Sequence, residues 1–438
     1  MRIRHIAASF VWAAALILAV AASAQPAKKE NWIGAWGFAV VPPPPGMAMP
    51  VAVPNPAPVI VPLAAPPEAA VPQPPLVENP GNVPVVALGS DPANVTLRQL
   101  VRVSAAGKRI RLRFSNEGGS DVLNLGAVHV GLAGPDGGVV PGSDRTVSFE
   151  GRRAITIPAG APLLTDPIDL PVKALDRLVI STYLPGPAAR TGHTLLHYMA
   201  AGDQTAAPQL PAQQLARLTA LVSEVDVDAT TATGVIVCRG DSITDGATST
   251  SNAFRSYPDR LAERLAANGK WAVVNVGIGG NKLLRYGTGP NALARLDRDV
   301  LSVPGVKAII LLEGINDIGR GFIATGVQDP VSLEALIAAQ KQIIQRAHDH
   351  GIKVIGATLT PYQGAGYASP AGEEVRTGLN NWIKNGGAFD AVVDFAAATA
   401  DPANPLAFRA EYNIRDKLHP NDAGYKAMAD AIDLSLFK

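Results

Sequence analysis

From Gly234 onward the chain repeats one rhythm. Five short apolar runs, VIVC, VVNV, AIILLE, KVIGATL and AVVDF, alternate with stretches of helical period. SYPDRLAERLAANGK sets Leu261 and Leu265 one turn apart, and Gly269 stops it. VSLEALIAAQKQIIQRAHDHG has Ser332 as its cap, Leu333, Leu336, Ile337, Ile344 and Ala347 on one face, and Gly351 at its end. Strands apolar on both faces need covering on both, so the rhythm predicts a parallel sheet between two layers of helices. Active sites in such sheets lie beyond the carboxyl ends of the strands.

Upstream the pattern differs. In TLRQLVRVSAAGKRIRLRF, Ile110, Leu112 and Phe114 alternate with Arg109, Arg111 and Arg113, and SAAGK reads as the turn of a hairpin. LGAVHVGL, RTVSF, RAITI and RLVISTYL follow, separated by Gly, Pro and Asp turns, which predicts a β-sandwich. The arginine row reads as a solvated strand face. An Ala-, Gln- and Pro-rich region at about 200–214 then leads into the second domain. Before the sandwich, 42–92 is dense in proline and reads as an exposed loop or spacer. The predicted division is a signal peptide at 1–24, a strand segment at 25–41, the Pro-rich segment at 42–92, a β-sandwich-like domain at 93–232 and a catalytic domain at 233–438.

The first residues, with Arg2 and Arg4, an apolar run and Ala22-Ser23-Ala24, have the three-part build of a cleavable secretory signal, which predicts a secreted or periplasmic protein. No later segment approaches the roughly 20 apolar residues of a membrane span. Net charge is +1 with 17% charged residues, which excludes the electrostatic footprint of nucleic-acid binding. Cys238 is the only cysteine, so no intramolecular disulfide is possible, and its place in VIVC reads as packing.

Chemistry concentrates at predicted strand ends. Ser242 follows the first strand in RGDSITDG, where a tight turn would lift its hydroxyl above the sheet. In DKLHP, Asp416 stands three residues before His419, within reach of one imidazole nitrogen; the other could then take a proton from serine. NVGIGGN (275–281) and EGIND (313–317) close the second and third strands with a glycine-rich backbone and the Asn316 amide, donors suited to an oxyanion. His129 and His197 read as structural, and His348 and His350 as solvent-facing. His193, in ARTGHTLLHY, could reach the site from the sandwich but reads as structural.

GDSITDG, NVGIGGN, GIND and DKLHP, in that order, resemble the four blocks of the SGNH (GDSL-type) hydrolase superfamily over about 234–438. AWG near the start and the β-rich region resemble a secreted bacterial subgroup with an N-terminal β-domain. The resemblance implies a flavodoxin-like three-layer α/β/α domain without metal or cofactor. It also implies Ser242 as nucleophile, His419 as base and Asp416 as its orienting carboxylate, with the Ser242 and Gly280 N–H groups and the Asn316 side chain forming the oxyanion hole. Arg239 departs from the apolar residue usual before GDS.

The expected function is an exported serine esterase acting through an acyl-enzyme, removing short acyl groups, foremost acetyl, from polysaccharides or small esters. A lipase or arylesterase is the alternative. A metal site of Asp241, Asp245 and Asn316 lacks the His and carboxylate ligands of a two-metal centre. A carbohydrate-binding protein using Trp32 and Trp36 would not need the five site residues together. No nucleic-acid partner and no stable membrane insertion are expected.

Overall fold

The computed structural model describes residues 30–42, 85–86, 92–135, 137–188, 195–211, 214–321 and 330–438. The predicted signal sequence, most of the Pro-rich segment and His193 lie outside them.

Two sheets face each other in the N-terminal half. One has four strands in the order β1 (Trp32–Gly37), β13 (Val222–Ala229), β4 (Gly107–Ser115) and β9 (Pro162–Leu164). The other has seven: β2 (Val85–Val86), β12 (Gln214–Leu218), β11 (Leu195–Ala201), β3 (Val95–Arg102), β10 (Arg177–Leu184), β6 (Val128–Leu132) and β7 (Arg145–Thr146). A small pair, β5 (Leu123–Leu125) with β8 (Ile155–Ile157), stands beside them.

The expected hairpin does not form. Strand β3 pairs with β10 and β11, whereas β4 pairs with β13 and β9. SAAGK therefore carries the chain from one sheet to the other. Ile110, Leu112 and Phe114 are fully buried, and a period of two fixes a strand's face without fixing its partner. Region 200–214 does not lead directly into the second domain either, because β12 and β13 follow it as sandwich strands.

The arginine row is paired rather than simply solvated. Arg109 and Arg111 bind Asp228 and Asp226 across β13 at 2.8 and 2.7 Å, and both guanidinium groups lie over the Trp32 ring. That ring is thus occupied by cations of its own chain.

His129 pairs with Asp144 at 2.8 Å, whereas His197 is fully enclosed against the backbone of Leu218 and Thr219, with neither ring nitrogen in a fully formed hydrogen bond. Burial lowers its pKa from 6.5 to about 4. Between those values the unfolded chain binds a proton that the folded chain refuses, so stability is complete above pH 6.5 and falls toward pH 4. Urea unfolding across this range should show a loss of up to roughly 3 kcal/mol. His197→Phe should flatten that dependence, and an unchanged slope in the variant would assign the loss to other groups.

The C-terminal half is a five-stranded parallel sheet in the order β15 (Trp271–Asn275), β14 (Gly234–Gly240), β16 (Val306–Leu312), β17 (Lys353–Ala357) and β18 (Ala391–Val393). In chain order this is 2-1-3-4-5, the flavodoxin-like arrangement. Helices α1 (Ser242–Asp245), α2 (Tyr257–Ala266), α3 (Ile315–Gly321), α4 (Leu333–Asp349), α5 (Pro370–Asn385), α6 (Phe395–Thr399) and α7 (Asp422–Asp430) complete it. Helix α2 begins within SYPDRLAERLAANGK, as expected. Ser256 caps it, its hydroxyl facing the Asp259 N–H while the Asp259 carboxylate returns to the Ser256 N–H. Ser332 caps α4 as expected, and Leu336, Ile343, Ile344 and Ala347 are buried beneath it. Strand β14 is buried along its whole length, Cys238 included, and burial raises that thiol's pKa far out of the reactive range. Among the described residues no helix is long and apolar enough to cross a membrane.

Strand β1 joins the two halves. It pairs with β13, and the Gly34 N–H donates to the Pro304 carbonyl at 2.9 Å. The Ser104 hydroxyl donates to the carbonyls of Ala35 (2.7 Å) and Val273 (2.8 Å), while the Val273 N–H donates back at 2.9 Å.

Candidate active site

The sheet order reverses between β14 and β16, and the crevice opened there is where α/β sheets bind ligands. Ser242 follows the first of these strands and Asn316 the second. At the end of β14 the Asp241 carboxylate accepts from the Ile243 N–H at 2.9 Å, folding the chain into α1 at Ser242. Asp241 is therefore spent on the turn. It is fully buried, and burial pushes its carboxyl up to about 6. Arg239 is equally buried, so the Arg-Gly-Asp tripeptide presents neither charge to the surface.

The last loop reaches this point. Ser242 Oγ lies 2.9 Å from His419 Nε2, and His419 Nδ1 lies 2.5 Å from Asp416 Oδ2. The other Asp416 oxygen accepts from the backbone N–H groups of Leu418 and His419, both at 2.9 Å. Burial alone would raise the Asp416 pKa, but the bonds from the His419 ring and from these two N–H groups hold it below the usual carboxylate range. An ionised carboxylate on Nδ1 accepts its proton and leaves the Nε2 lone pair directed at serine. Arg415 and Lys417, on either side of Asp416, have φ of 73° and 61°, left-handed values uncommon for such side chains.

The glycine block folds alongside. Gly280 has φ of 75°, a conformation open to glycine at little cost. Asn316 Nδ2 donates to the Asn281 carbonyl at 3.0 Å, which uses one of its two N–H groups and leaves the other for a ligand. Asp317 accepts from the Leu283 and Leu284 N–H groups at 2.6 and 3.0 Å, fixing the residues after the block to α3.

Several supporting residues carry no motif. Arg295, 1% exposed, donates to the Val276 carbonyl (2.7 Å), the Gly240 carbonyl (2.9 Å) and Asn281 Oδ1 (2.9 Å), and pairs with Asp299 at 3.0 Å. One guanidinium thus holds the strand end before Ser242 and both ends of the glycine block. Thr248 Oγ1 donates to the Pro420 carbonyl at 2.8 Å, Asp422 accepts from Thr250 Oγ1 and Arg255 at 2.7 Å each, and the Tyr425 hydroxyl donates to the Ala247 carbonyl at 2.7 Å. These bonds fasten the loop after Ser242 to the segment following His419. Their acceptors are two backbone carbonyls and the Asp422 carboxylate, brought to their donors only by folding.

Arg239 now has a setting. It donates to the Ala292 carbonyl and shares a buried cluster with Arg295, Glu313 and Asp299. Burial, reinforced by Arg295, lowers its pKa to about 9, while burial, reinforced by Asp241, raises Glu313 to about 8. Asp245 and Asp241 do not assemble a cation site: among the described residues no three His, Cys, Asp or Glu side chains converge to hold a metal.

Residues 238–427 match the GDSL-like Lipase/Acylhydrolase family model. This segment is a GDSL-like acylhydrolase domain with the three-layer α/β/α SGNH fold, and an extra strand-rich region precedes it. The protein is accordingly a hydrolase acting on ester bonds.

Similar solved structures include a protein from Desulfitobacterium hafniense DCB-2 assigned to the G-D-S-L lipolytic family, 24% identical over 45% of this chain and 96% of its own, TM-score 0.36. A GDSL-like lipase from Bacteroides thetaiotaomicron is 19% identical over 46% and 87%, TM-score 0.35. A catalytic mutant of an acetylxylan esterase from Geobacillus stearothermophilus is 20% identical over 46% and 93%, TM-score 0.35. No curated protein matches the chain.

Proposed function

We propose that the protein is an exported serine esterase that removes short acyl groups, foremost acetyl, from polysaccharides. The observation that supports it most is the unbroken chain from Asp416 through His419 to Ser242 at the carboxyl end of β14. Ser242 Oγ attacks the ester carbonyl as His419 Nε2 takes its proton. The oxyanion so formed is met by the Ser242 and Gly280 N–H groups and the Asn316 amide. On collapse the C–O bond to the alcohol breaks and His419 returns the proton to it, leaving an acyl-enzyme. Water, deprotonated by His419, then releases the acid and frees Ser242. Export rests on the N-terminal sequence, and the polysaccharide substrate on export together with the neighbouring sandwich.

The test is a panel of aryl esters of rising acyl length beside acetylated xylan, with Ser242→Ala as blank. The expected result is the highest kcat/KM on acetyl esters and measurable acetate release from the polymer. A preference for long chains without acetate release would favour a lipase instead.

The acid limb of the pH–rate profile gives a second check. Asp416 is held below the usual carboxylate range, so it keeps its charge on His419, and the base must be neutral to take the serine proton; activity should therefore fall on acidification. A rate that does not change across the acid range would remove the histidine base.

A further inference from the structure

Three cations stand on or next to the segments that build the candidate site, and one of them lies beside Gly280. Arg320 lies on α3 four residues after Asn316, so the two share a helix face. Its Nη2 is 3.8 Å from where a β-carbon on Gly280 would stand, which sets the guanidinium beside the oxyanion-hole glycine. Lys282 follows the glycine block, its stem within 3.2 Å of the β-carbon position of Gly287, the residue packed against the Gly280 carbonyl. Lys417 sits between Asp416 and His419, its ammonium 3.0 Å from the β-carbon position of Gly364.

The nearby carboxylates act mainly on Lys282 and leave Arg320 without a partner. Asp317 lies close enough to Lys282 for their charges to interact while it accepts from Leu283 and Leu284, Asp416 is directed at His419 and Leu418, and Asp245 Oδ2 stands 3.8 Å from the β-carbon position of Gly279. None of Arg320, Lys282 and Lys417 forms an ion pair with a described residue, whereas Arg102, Arg109, Arg111, Arg295 and Arg376 all do. Arg320 is exposed, so its charge faces whatever enters the crevice. An exposed cation beside a cleft attracts anions and raises their local concentration.

We infer that the ester this site takes carries a negative charge close to the scissile carbonyl, read by Arg320 with Lys282 and Lys417 adding to the field. The substrate class is an acylated acidic molecule, such as an acetylated polyuronate, in place of a neutral glycan. The inference rests on the esterase reading above and narrows its substrate. Arg320 is here a specificity residue: it binds the anion and transfers no proton.

Acetylsalicylate and its methyl ester form a suitable probe pair, since both lose the same acetyl group and only the first is anionic at neutral pH. Arg320→Gln should lower the ratio of kcat/KM on acetylsalicylate to that on the methyl ester about tenfold, the scale of one charge-assisted contact. Arg320→Lys should keep most of that ratio, because it keeps the charge. In the native enzyme, salt at about 0.5 M should depress the anionic rate more than the neutral one, because ions screen the rim. Acetate release from acetylated polygalacturonate relative to acetylated xylan should move the same way. Equal losses on both esters in Arg320→Gln would place the guanidinium in general transition-state stabilisation, and an unchanged ratio would remove it from recognition; either result overturns the inference. Hydrolysis of both probes by Ser242→Ala would instead overturn the esterase reading beneath it.

Discussion

Alanine at Ser242 is expected to lower kcat on acetyl esters by about 10⁴–10⁶, with residual turnover owed to binding and the oxyanion donors. The fold should be untouched. Ser242 is half-buried, its hydroxyl bonds to His419, and the turn that presents it is held by Asp241. Circular dichroism and urea unfolding should therefore overlay with the native protein while acyl-enzyme formation disappears. A variant that folds and still turns over esters at a native rate would remove Ser242 as nucleophile. The size of the effect follows from a mechanism in which this hydroxyl forms and breaks every covalent intermediate.

The second large effect is expected at Arg295, which no motif marks. Arg295→Met keeps much of the apolar bulk but deletes the donors to Val276, Gly240 and Asn281, and it leaves Asp299 and Glu313 buried with less compensating charge. Breaking a buried ion pair in this way costs about 3–5 kcal/mol of stability. The same carbonyls set the spacing between Ser242 and the glycine block, so kcat should fall by about 10²-fold or more, the scale of losing one oxyanion donor. Arg295→Lys should not restore it, because an ammonium on one stem cannot serve three divergent acceptors. Urea unfolding with single-turnover kinetics checks both parts. Native stability and turnover in Arg295→Met would show that the loop holds its shape without the guanidinium.

The two sites differ in how far the sequence reveals them. Ser242, Asp416 and His419 were legible because each sits in a short local block whose residue types already imply an interaction, and because a parallel sheet brings every such block to one edge. Asn316 and Gly280 follow by the same positional rule. Arg295 was not legible, since its acceptors are two main-chain carbonyls and an amide oxygen from segments 14 to 55 positions away. Nothing in ALARLD hints at them. Asp422 and Tyr425 were missed for the same reason.

In the fold, periodicity identified the five strands of the parallel sheet and several strands of the sandwich, but not β12 and β13. It failed at SAAGK, where a turn between two strands says nothing about whether they pair with each other. Both sheets of a sandwich show the same alternation, and only the non-local partners β10 and β13 decide the outcome. Arg239 looked anomalous beside an apolar run, and its neighbours account for it: a second buried arginine and two buried acids make a polar cluster beneath the crevice.

Strand β1 has a consequence for biosynthesis. Trp32 is made early, yet its register partner is Asp228, 196 positions later, and the edge strand β15 that β1 also covers is later still. Strand β1 must therefore wait for its β13 partner until the whole of the sandwich between them has been made. Contacts this distant in sequence are slow to close. A catalytic half expressed alone from about residue 233 would expose the β15 edge that Ser104 and β1 cover, an invitation to strand-to-strand association. The sandwich is thus less an appendage than a part of the hydrolase, and β1 is what locks the two together.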